Sequence, residues 1–268
     1  MKLLLLFIFT VMSLSANIYY SKIEPYEVRR IASNVSGVVL LTHESMLGQT
    51  LTSKPYLVID AALDQNELKF TQEKLLYLKK TVTLNENIVN NLDISLEKKR
   101  LNYERVKKLK IKSNVEKDKE FYDLVNSENS SLSTQKEINT LNTQVADLEI
   151  RKKQLIRSIS DKSLSAKGFK LYSLEVKVGE VVTKGTPLAT IMDTSHAILT
   201  IYLNEEDVLN APQSVIYING KKTVYKIDRL LNIADSKNIS KYMAQIIIKA
   251  PKIFSKLAKV ELKQNKKK

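Results

Sequence analysis

The side chains that most often do chemistry in proteins are sparse in this sequence and form no recognisable catalytic pattern. Only two histidines occur, His43 and His196, and neither has a group of metal-ligating residues near it in the chain. The chain has no cysteine, which excludes disulfides, thiolate metal sites and a lipidated N-terminal cysteine. No nucleophile and base pairing and no phosphate-binding loop stands out from chance. We therefore predict that the protein is not an enzyme and holds no metal or cofactor.

Positive charge is the other chemical property of note. The chain has 43 Lys and Arg against 29 Asp and Glu, a net charge of +14, which suits nucleic acid, anionic lipid or an acidic protein surface. The densest run consists of Lys98, Lys99, Arg100, Arg105, Lys107, Lys108, Lys110 and Lys112. Its two main interpretations are a docking surface for a protein partner and a solvated helix face whose cations favour the helix dipole.

Residues 1–16 have the composition of a secretory signal peptide. Lys2 precedes an apolar run, and small residues follow the run near its end. The run is far shorter than the ~20 residues that a membrane span needs. We expect cleavage and a periplasmic location, with an uncleaved N-terminal anchor as the alternative. Export also argues against nucleic acid as the partner of the basic run.

Two segments of matching pattern lie far apart in the chain. Each has a glycine turn, an alternating run, a proline and an apolar strand that ends at an aspartate. The first runs from Gly48 to Asp60, and the second runs from Gly179, through Gly185, to Asp193. Such half-repeats form one small β-domain only if the segment between them leaves and returns at nearly the same point, as a helical hairpin does.

The segment between the half-repeats has the heptad pattern of a coiled coil, and it contains no Gly or Pro from Ala61 to Lys167. The predicted seam residues of the first helix are Leu68, Leu75, Val82, Val89, Leu92, Leu96 and Tyr103. Those of the second helix are Ile138, Leu141, Val145, Leu148 and Leu155. A stutter extends the second series backward to Phe121, Leu124, Val125 and Leu132. Asn85 and Lys99 are polar seam positions, which lower stability but help to set the register.

Capping-box spacings mark the start of each helix, at Asp64 with Glu67 and at Ser113 with Glu116. We therefore expect two helices, each roughly 70 Å long at 1.5 Å per residue, joined near residues 110–114. Beyond the second half-repeat, short β-like runs separated by turns predict a small β-barrel. The dipeptide at 219–220, Asn-Gly, is a hairpin turn signal, and residues 18–26 would add a strand.

The order of these segments resembles that of the HlyD family of periplasmic adaptors, also called membrane fusion proteins, which serve tripartite efflux pumps and type I secretion systems. The segment from Val178 to Leu188 is similar to that family's lipoyl strand and turn pattern. The first half-repeat matches more loosely, because Ser45 and Lys54 stand where glycines are usual. The segment 198–208, read as β-structure, resembles the family's entry into its barrel.

The resemblance implies an elongated α+β fold, in which a long antiparallel coiled-coil hairpin is inserted into a lipoyl-like β-sandwich and a small β-barrel follows. The predicted domains are a signal peptide at 1–16, a β-barrel domain at 17–30 and 195–262, a lipoyl-like domain at 31–62 and 167–194, the hairpin at 63–166 and a basic tail at 263–268. The hairpin should be dispensable for the sandwich, so that joining Ala62 to Gly168 leaves a folded β-protein.

The resemblance also implies partners. These are an inner-membrane transporter of the RND or ABC type, a TolC-like outer-membrane channel, and further copies of the chain in a ring that forms a conduit. Family members that dock such channels carry an Arg at the hairpin tip, a Leu four residues on and a Ser or Thr seven further. Arg105 and Leu109 fit this pattern, whereas Glu116 occupies the third position. Glu116 is interpreted as either a helix cap or a contact residue.

Two other functions stay open. One is a coiled-coil periplasmic scaffold with no role in transport. The other is a lipoyl or biotinyl carrier, whose modified lysine lies on an exposed turn between the half-repeats. Here the long hairpin occupies that position, and no Asp-Lys-Ala or Met-Lys-Met turn occurs. The sandwich, with turns at Gly48, Gly179 and Gly185, is therefore interpreted as a rigid joint and an oligomer surface.

Overall fold

The computed structural model describes residues 17–235, 238 and 240–264, so the predicted signal peptide and most of the predicted basic tail lie outside the described residues. In chain order the elements are β1 Ile18–Ala32, β2 Gly37–Thr42, β3 Leu57–Ile59, α1 Ala62–Lys108, α2 Asn114–Asp161, β4 Ser163–Leu164, β5 Lys170–Leu174, β6 Val181–Val182, β7 Pro187–Leu203, α3 Glu205–Asn210, β8 Val215–Ile218, β9 Lys221–Lys222, β10 Arg229–Ala234, β11 Tyr242–Lys249 and β12 Leu257–Lys263. Within these ranges, no helix has both the length and the apolar character that crossing a membrane requires.

Helices α1 and α2 form the long antiparallel hairpin, with 47 and 48 residues. The capping box of α2 is present, since Ser113 and Glu116 exchange side chain to backbone hydrogen bonds. The predicted cap of α1 was wrong. This helix begins at Ala62, whose N–H donates to Asp60 Oδ1 at 2.9 Å, so Asp64 lies inside the first turn and is free to bind elsewhere.

The seam between α1 and α2 follows one unbroken heptad spacing. Its most buried members are Thr71, Leu75, Val82, Asn85, Ile138 and Leu155. The other predicted seam residues are half-buried, namely Leu68, Val89, Leu92, Leu96, Tyr103, Leu141, Val145 and Leu148. Two helices alone cannot enclose a seam on every side, so partial exposure is expected along much of its length.

The predicted backward extension of the α2 series is wrong at Phe121 and Leu132, which are exposed, whereas Leu124 and Val125 are half-buried. Between Leu124 and Ile138 the heptad spacing continues through Ser127, Ser131 and Thr134, which are half-buried. Polar bonds replace apolar contacts here, since Ser131 Oγ donates to Asp93 Oδ1 at 2.8 Å. A search for apolar periodicity therefore missed a seam made of hydroxyl side chains.

The two half-repeats build one hydrophobic core beside the hairpin base. Together with flanking residues of the predicted lipoyl-like segments 31–62 and 167–194, they bury Val39, Leu51, Tyr56, Leu57 and Ile59 on the first side and Leu171, Val176, Val182, Leu188, Ala189 and Ile191 on the second. One sheet around it has the strand order β4-β3-β2-β6. Because β4 lies directly after α2 and pairs with β3, which lies directly before α1, the hairpin leaves and returns at one point, as the repeat predicts.

The second core lies under a sheet whose strand order is β10-β11-β7-β1-β12-β8-β9, with β5 also paired to β7. Buried residues of β7, β8, β11 and β12 contribute to a single cluster, so the sheet wraps around that cluster. Among the described strands the ladder does not close, because β9 and β10 are not paired to each other. The expected barrel is therefore an open one.

The loop between β9 and β10 spans the opening. Asp228 Oδ2 accepts from the N–H of Ile247 at 2.6 Å, and Tyr225 Oη accepts from the N–H of Lys249 at 3.2 Å. These side chains satisfy backbone groups of β11 that a further strand would otherwise bind.

The predicted turn at Asn219 and Gly220 is present, with φ of 50° and 79°, as a type I′ hairpin requires.

Strands β1 and β7 run through both cores without interruption. Residues of β1 pair with β12 near its start and with β7 over the rest of its length. The predicted domain boundaries at 30/31 and 194/195 therefore fall inside continuous strands. The segment 198–208 is not wholly β-structure, since β7 ends at Leu203 and the short helix α3 begins at Glu205.

Candidate docking surface at the hairpin tip

At the base of the hairpin, hydrogen bonds and an ion pair join the two helices to each other and to the β-core. These contacts fix the orientation of the hairpin. Lys162, which is almost fully buried, lies 3.2 Å from Asp64 Oδ2. Ser158 Oγ donates to the same Asp64 oxygen. Asn34 Nδ2, from the loop after β1, donates to Asp161 Oδ2 at 3.0 Å. Although burial acts to raise the pKa of Asp64, the bonds from Ser158 and Lys162 lower it overall, which keeps the carboxylate ionised.

Near the tip, polar and aromatic contacts hold the two helices together. Lys99 Nζ donates to Ser127 Oγ at 2.6 Å, and Asn102 Nδ2 donates to Glu120 Oε2 at 2.7 Å. The rings of Tyr103 and Phe121 lie 5.6 Å apart, centroid to centroid. These contacts cross from α1 to α2, so the tip is an ordered end of the hairpin.

Arg105 and Leu109 lie at the end of α1. Arg105 is exposed on the last turn of α1, and its guanidinium has no ion pair or hydrogen bond to any described residue. Leu109 is the residue that caps α1, and its N–H donates to Val106 O at 3.1 Å. Four residues apart, the two side chains share one face of the helix end.

The side chain of Glu116 is bound within the hairpin tip. Its carboxylate accepts from Lys112 Nζ at 2.8 Å and from the Ser113 N–H at 2.9 Å. The bond from Lys112, followed by those from Ser113, lowers the pKa of Glu116 to about 2. The structure thus places the third predicted tip residue in a helix cap, and the surface that points outward lies elsewhere.

Two exposed apolar residues that the sequence reasoning missed complete the tip. Ile111 is 89% exposed in the connection between the helices, and Val115 is exposed on the first turn of α2. The signal that could have found them is the placement of aliphatic side chains in a loop of lysines, with no helix face to bury them. Together with Leu109 they make an apolar tip.

Positive charge surrounds this apolar tip. Residues 98–119 contain ten Lys or Arg and three Asp or Glu, a net charge of +7, which is half of the whole chain's +14. An apolar centre with a charged rim is the usual anatomy of a protein interface. Positive charge of this kind is complementary to an acidic surface.

The glycines of the predicted turns tie the two half-repeats together. Gly48, Gly179 and Gly185 have φ of 76°, 91° and 92°, the left-handed region that favours glycine. Each donates its N–H across the repeat: Gly48 to Leu171 O at 2.8 Å, Gly179 to Val39 O at 2.9 Å and Gly185 to Ser33 O at 2.8 Å. They are part of the joint that roots the hairpin.

The two histidines lie apart from the tip. The backbone N–H of His43 donates to Tyr56 O at 3.0 Å, and the ring of His196 meets that of Tyr26 edge-on at 6.1 Å. In the described part of the chain, no three His, Asp or Glu side chains form a group that could hold a metal ion.

Comparison with known proteins gives a likeness in structure. No protein-family model matches the chain, and no curated protein matches it by sequence. The crystal structure of MacA from Actinobacillus actinomycetemcomitans superposes with a TM-score of 0.69 at 16% identity, over 92% of this chain and 78% of that one. A putative efflux transporter from Bacteroides eggerthii gives a TM-score of 0.60 at 12% identity, over 94% of this chain and 69% of that one.

A third solved structure, the membrane fusion protein Spr0693 from Streptococcus pneumoniae, gives a TM-score of 0.58 at 11% identity and covers 93% of this chain and 99% of that one. At identities this low, the likeness is one of fold. Each of the three matches covers more than nine-tenths of this chain, so the predicted resemblance is confirmed at the level of architecture. The chain has the elongated α+β fold of the membrane fusion proteins.

Proposed function

We propose that the protein is a periplasmic adaptor subunit of an efflux or secretion system, which links an inner-membrane transporter to an outer-membrane channel. The observation that carries this proposal is the tip of the hairpin. An apolar group with a basic rim stands at the end of two helices of 47 and 48 residues, or about 70 Å at 1.5 Å per residue. A firmly rooted arm of that length reaches a partner far from the β-domains.

The tip binds the channel through two kinds of contact. Arg105, which has a free guanidinium, makes a planar bidentate bond to a carboxylate or to carbonyl groups of the channel. Leu109, Ile111 and Val115 bury apolar surface against it. Glu116 contributes by capping α2 and so by shaping the connection, which accounts for an acid at this position.

Several copies of the chain assemble side by side through the lipoyl-like and barrel domains. A ring is required because a single hairpin cannot enclose a conduit, and a closed ring uses the same heterologous contact at every step. The β-sheet end of the ring engages the transporter. The protein acts mechanically in this scheme, with no catalytic step of its own, and an RND or an ABC transporter satisfies it equally.

Affinity purification of the tagged full-length protein from solubilised, crosslinked cell envelopes tests the proposal. We expect a transporter and an outer-membrane channel to co-purify with the wild type. The double variant Arg105→Asp, Leu109→Asp should lose the channel and keep the transporter, because its charge repels an acidic partner. It should keep the wild-type melting temperature, since both positions are solvated.

A matched control lies on the same helix. The double variant Lys80→Asp, Leu84→Asp has the same four-residue spacing and a similar charge change on exposed positions of α1, but it lies far from the tip, so it should keep both partners. A wild-type protein that recovers neither a transporter nor a channel would favour the scaffold function. A tip variant that still recovers the channel would show that docking occurs elsewhere.

A further inference from the structure

The strands β1 and β7 change from one core to the other at an irregular point. Pro25 pairs with Ala197 and Glu27 pairs with Asp193, so residues 194–196 of β7 lie opposite Tyr26 alone. This is a β-bulge, a feature that re-aims side chains and is frequent beside functional sites. The N–H of Ser195 donates to Asp193 Oδ1 at 2.8 Å, which holds the bulge in shape.

A cleft of about 610 Å³ opens over the bulge, beside strands β1 and β7. On one side of the bulge, Val28 and Met192 are direct neighbours across the ladder. On the other side lies Ile198. The aromatic rings of Tyr26, Tyr172 and Phe254 also line the cleft. A second depression of about 460 Å³ adjoins the first, since both share Tyr26 and Ile198.

The apolar character of this face needs an explanation. An antiparallel sheet with one face on a core normally presents polar residues on the other. Here the opposite faces of β1 and β7 already pack in the two cores. The outward face nevertheless carries valine, methionine, isoleucine and tyrosine among its lysine, glutamate and threonine positions. Apolar surface gathered in a concave site, with a few polar groups nearby, is the usual form of a small-molecule site.

The charges around the cleft balance one another. Glu27 is paired with Arg29 at 2.6 Å. Lys22 and Glu24, two residues apart on one face of β1, both line the cleft. In the adjoining depression Asp228 is followed by Arg229. With a base beside each carboxylate, the site exerts no strong selection for a cation or an anion.

We propose that this cleft binds an uncharged aromatic small molecule. Its volume lies within the range of about 300 to 1,000 Å³ that is typical of such sites, whereas a protein partner needs an interface of roughly 800 Å² on each side. Tyr26 and Tyr172 offer ring faces and edges for stacking, and Met192 offers a polarizable contact. The hydroxyls of Thr194 and Thr200 also line the cleft and orient polar groups of the ligand. A bound molecule touches strands on both sides of the bulge and so stiffens the joint between the cores.

The chain has no tryptophan, which allows a site-specific test with the full-length protein. Tyr172→Trp places the only tryptophan in the cleft. Tyr122→Trp is the matched control at the far end of the hairpin, because the two tyrosines are 65% and 64% exposed. We expect saturable quenching of the Tyr172→Trp emission by Nile red, an uncharged aromatic dye, and no saturable change for Tyr122→Trp. Equal responses from the two reporters, or none up to the solubility limit of the dye, would overturn the proposal.

A second pair of variants locates the binding. In the Tyr172→Trp background, Val28→Asp should weaken Nile red binding at least tenfold, because it puts a carboxylate on the apolar floor. Val178→Asp, at an exposed valine of the sandwich outside the cleft, should leave binding unchanged. If Val28→Asp lowers the melting temperature, Tyr26→Ala takes its place. Equal binding by the cleft and control variants would contradict the site, and tighter binding of the cation rhodamine 6G or of the anion ANS would contradict the ligand class. None of these outcomes depends on the adaptor function.

Discussion

At the scale of single residues, Glu116 shows how a fold can use a side chain that a family pattern assigns to docking. Its carboxylate binds Lys112 and Ser113 and closes the start of α2. Arg105, by contrast, has no bond to any described residue, so it keeps its full capacity for a partner. Under the proposed function, docking would fall to Arg105, while Glu116 has a structural role in the cap of α2.

The cap at Glu116 should make the tip sensitive to acid. The bond from Lys112, followed by those from Ser113, lowers the pKa of Glu116 from 4.5 to about 2. A lowered carboxyl pKa means that the cap stabilises the folded tip fully above pH 4.5, and that this stabilisation is lost as the pH falls toward 2. An NMR titration of the Ser113 amide should follow that loss. In Glu116→Gln the amide should not titrate over the same range, and an unchanged titration there would contradict the assignment.

Asn85 is a seam residue whose side-chain amide nitrogen lacks a hydrogen-bond partner among the described residues. It is 8% exposed, and its Nδ2 is buried without a hydrogen-bond partner in the described structure. An unsatisfied buried donor costs about 1 to 3 kcal/mol. Such a cost is consistent with the sequence expectation that this position trades stability for register.

Replacing Asn85 should therefore stabilise the hairpin. Asn85→Leu removes the unpaired donor and adds apolar contact, so we expect the free energy of unfolding to rise by about 1 to 3 kcal/mol. Asn87→Leu, at an exposed position two residues on, should change it by less than about 0.5 kcal/mol. Urea denaturation followed by circular dichroism measures both, and a destabilised Asn85→Leu would show that the amide is satisfied in solution.

At the scale of elements, the hairpin is not uniform along its length. The base half of the seam holds Leu75, Val82, Ile138 and Leu155, which are the most buried apolar residues of the two helices. The outer half has Ser127, Ser131 and Thr134 on α2, its apolar seam residues are only half-buried, and polar bonds join its two helices. Because exposed polar contacts contribute less than apolar burial, the outer half should open more readily than the base.

Two adjacent leucines that differ in burial can test whether α1 packs on α2 through the predicted seam. Leu75 is 4% exposed and Leu76 is 68% exposed, and both lie in the same turn of α1. Leu75→Ala should cost roughly 2 to 4 kcal/mol of unfolding free energy, as for other buried leucines. Leu76→Ala should cost less than about 0.5 kcal/mol, as for most surface changes. Chemical denaturation of the pair gives the comparison, and similar costs at both positions would mean that α1 does not pack on α2 through this face.

At the scale of the whole molecule, the hairpin lies between two segments that build one β-domain. The N–H of Ile59 donates to Lys162 O at 2.8 Å, so the chain leaves and re-enters the sandwich at adjacent points. Both half-repeats then share one core. The structure also shows that the re-entry is earlier than the sequence predicts, because β4 already pairs with β3.

Two deletions should separate these boundaries. Joining Ala61 to Lys162 through a short Gly-Ser linker removes only the hairpin, and we expect a folded β-protein that unfolds cooperatively. Joining Ala62 to Gly168, as the sequence suggested, also removes β4 and the contact of Leu164 with the core. Because Leu164 is partly buried against that core, the longer deletion should be less stable than the shorter one. Thermal unfolding compares the two, and a shorter deletion that fails to unfold cooperatively would show that the hairpin is part of the β-domain.

The sequence by itself determined the order of the structural segments along the chain. The interrupted repeat, the heptads of both arms and the capping box at Ser113 are local patterns, each set by the spacing of a few residues, and the structure contains all three. Local spacing is readable because a helix or a turn is stabilised mainly by neighbours in the chain.

Only the tertiary structure decided which surfaces stay open. The exposure of Ile111, the serine seam of α2, the position of β4 and the cleft beside Tyr26 all depend on what a distant segment covers. Residue type alone does not reveal which surfaces are covered. An isoleucine or a serine can lie on either face of a helix, and the packing of another segment determines which face is buried. Burial depends on the packing of segments that are remote in the chain, whereas the periodicity of a helix or strand can be read from the order of neighbouring residues.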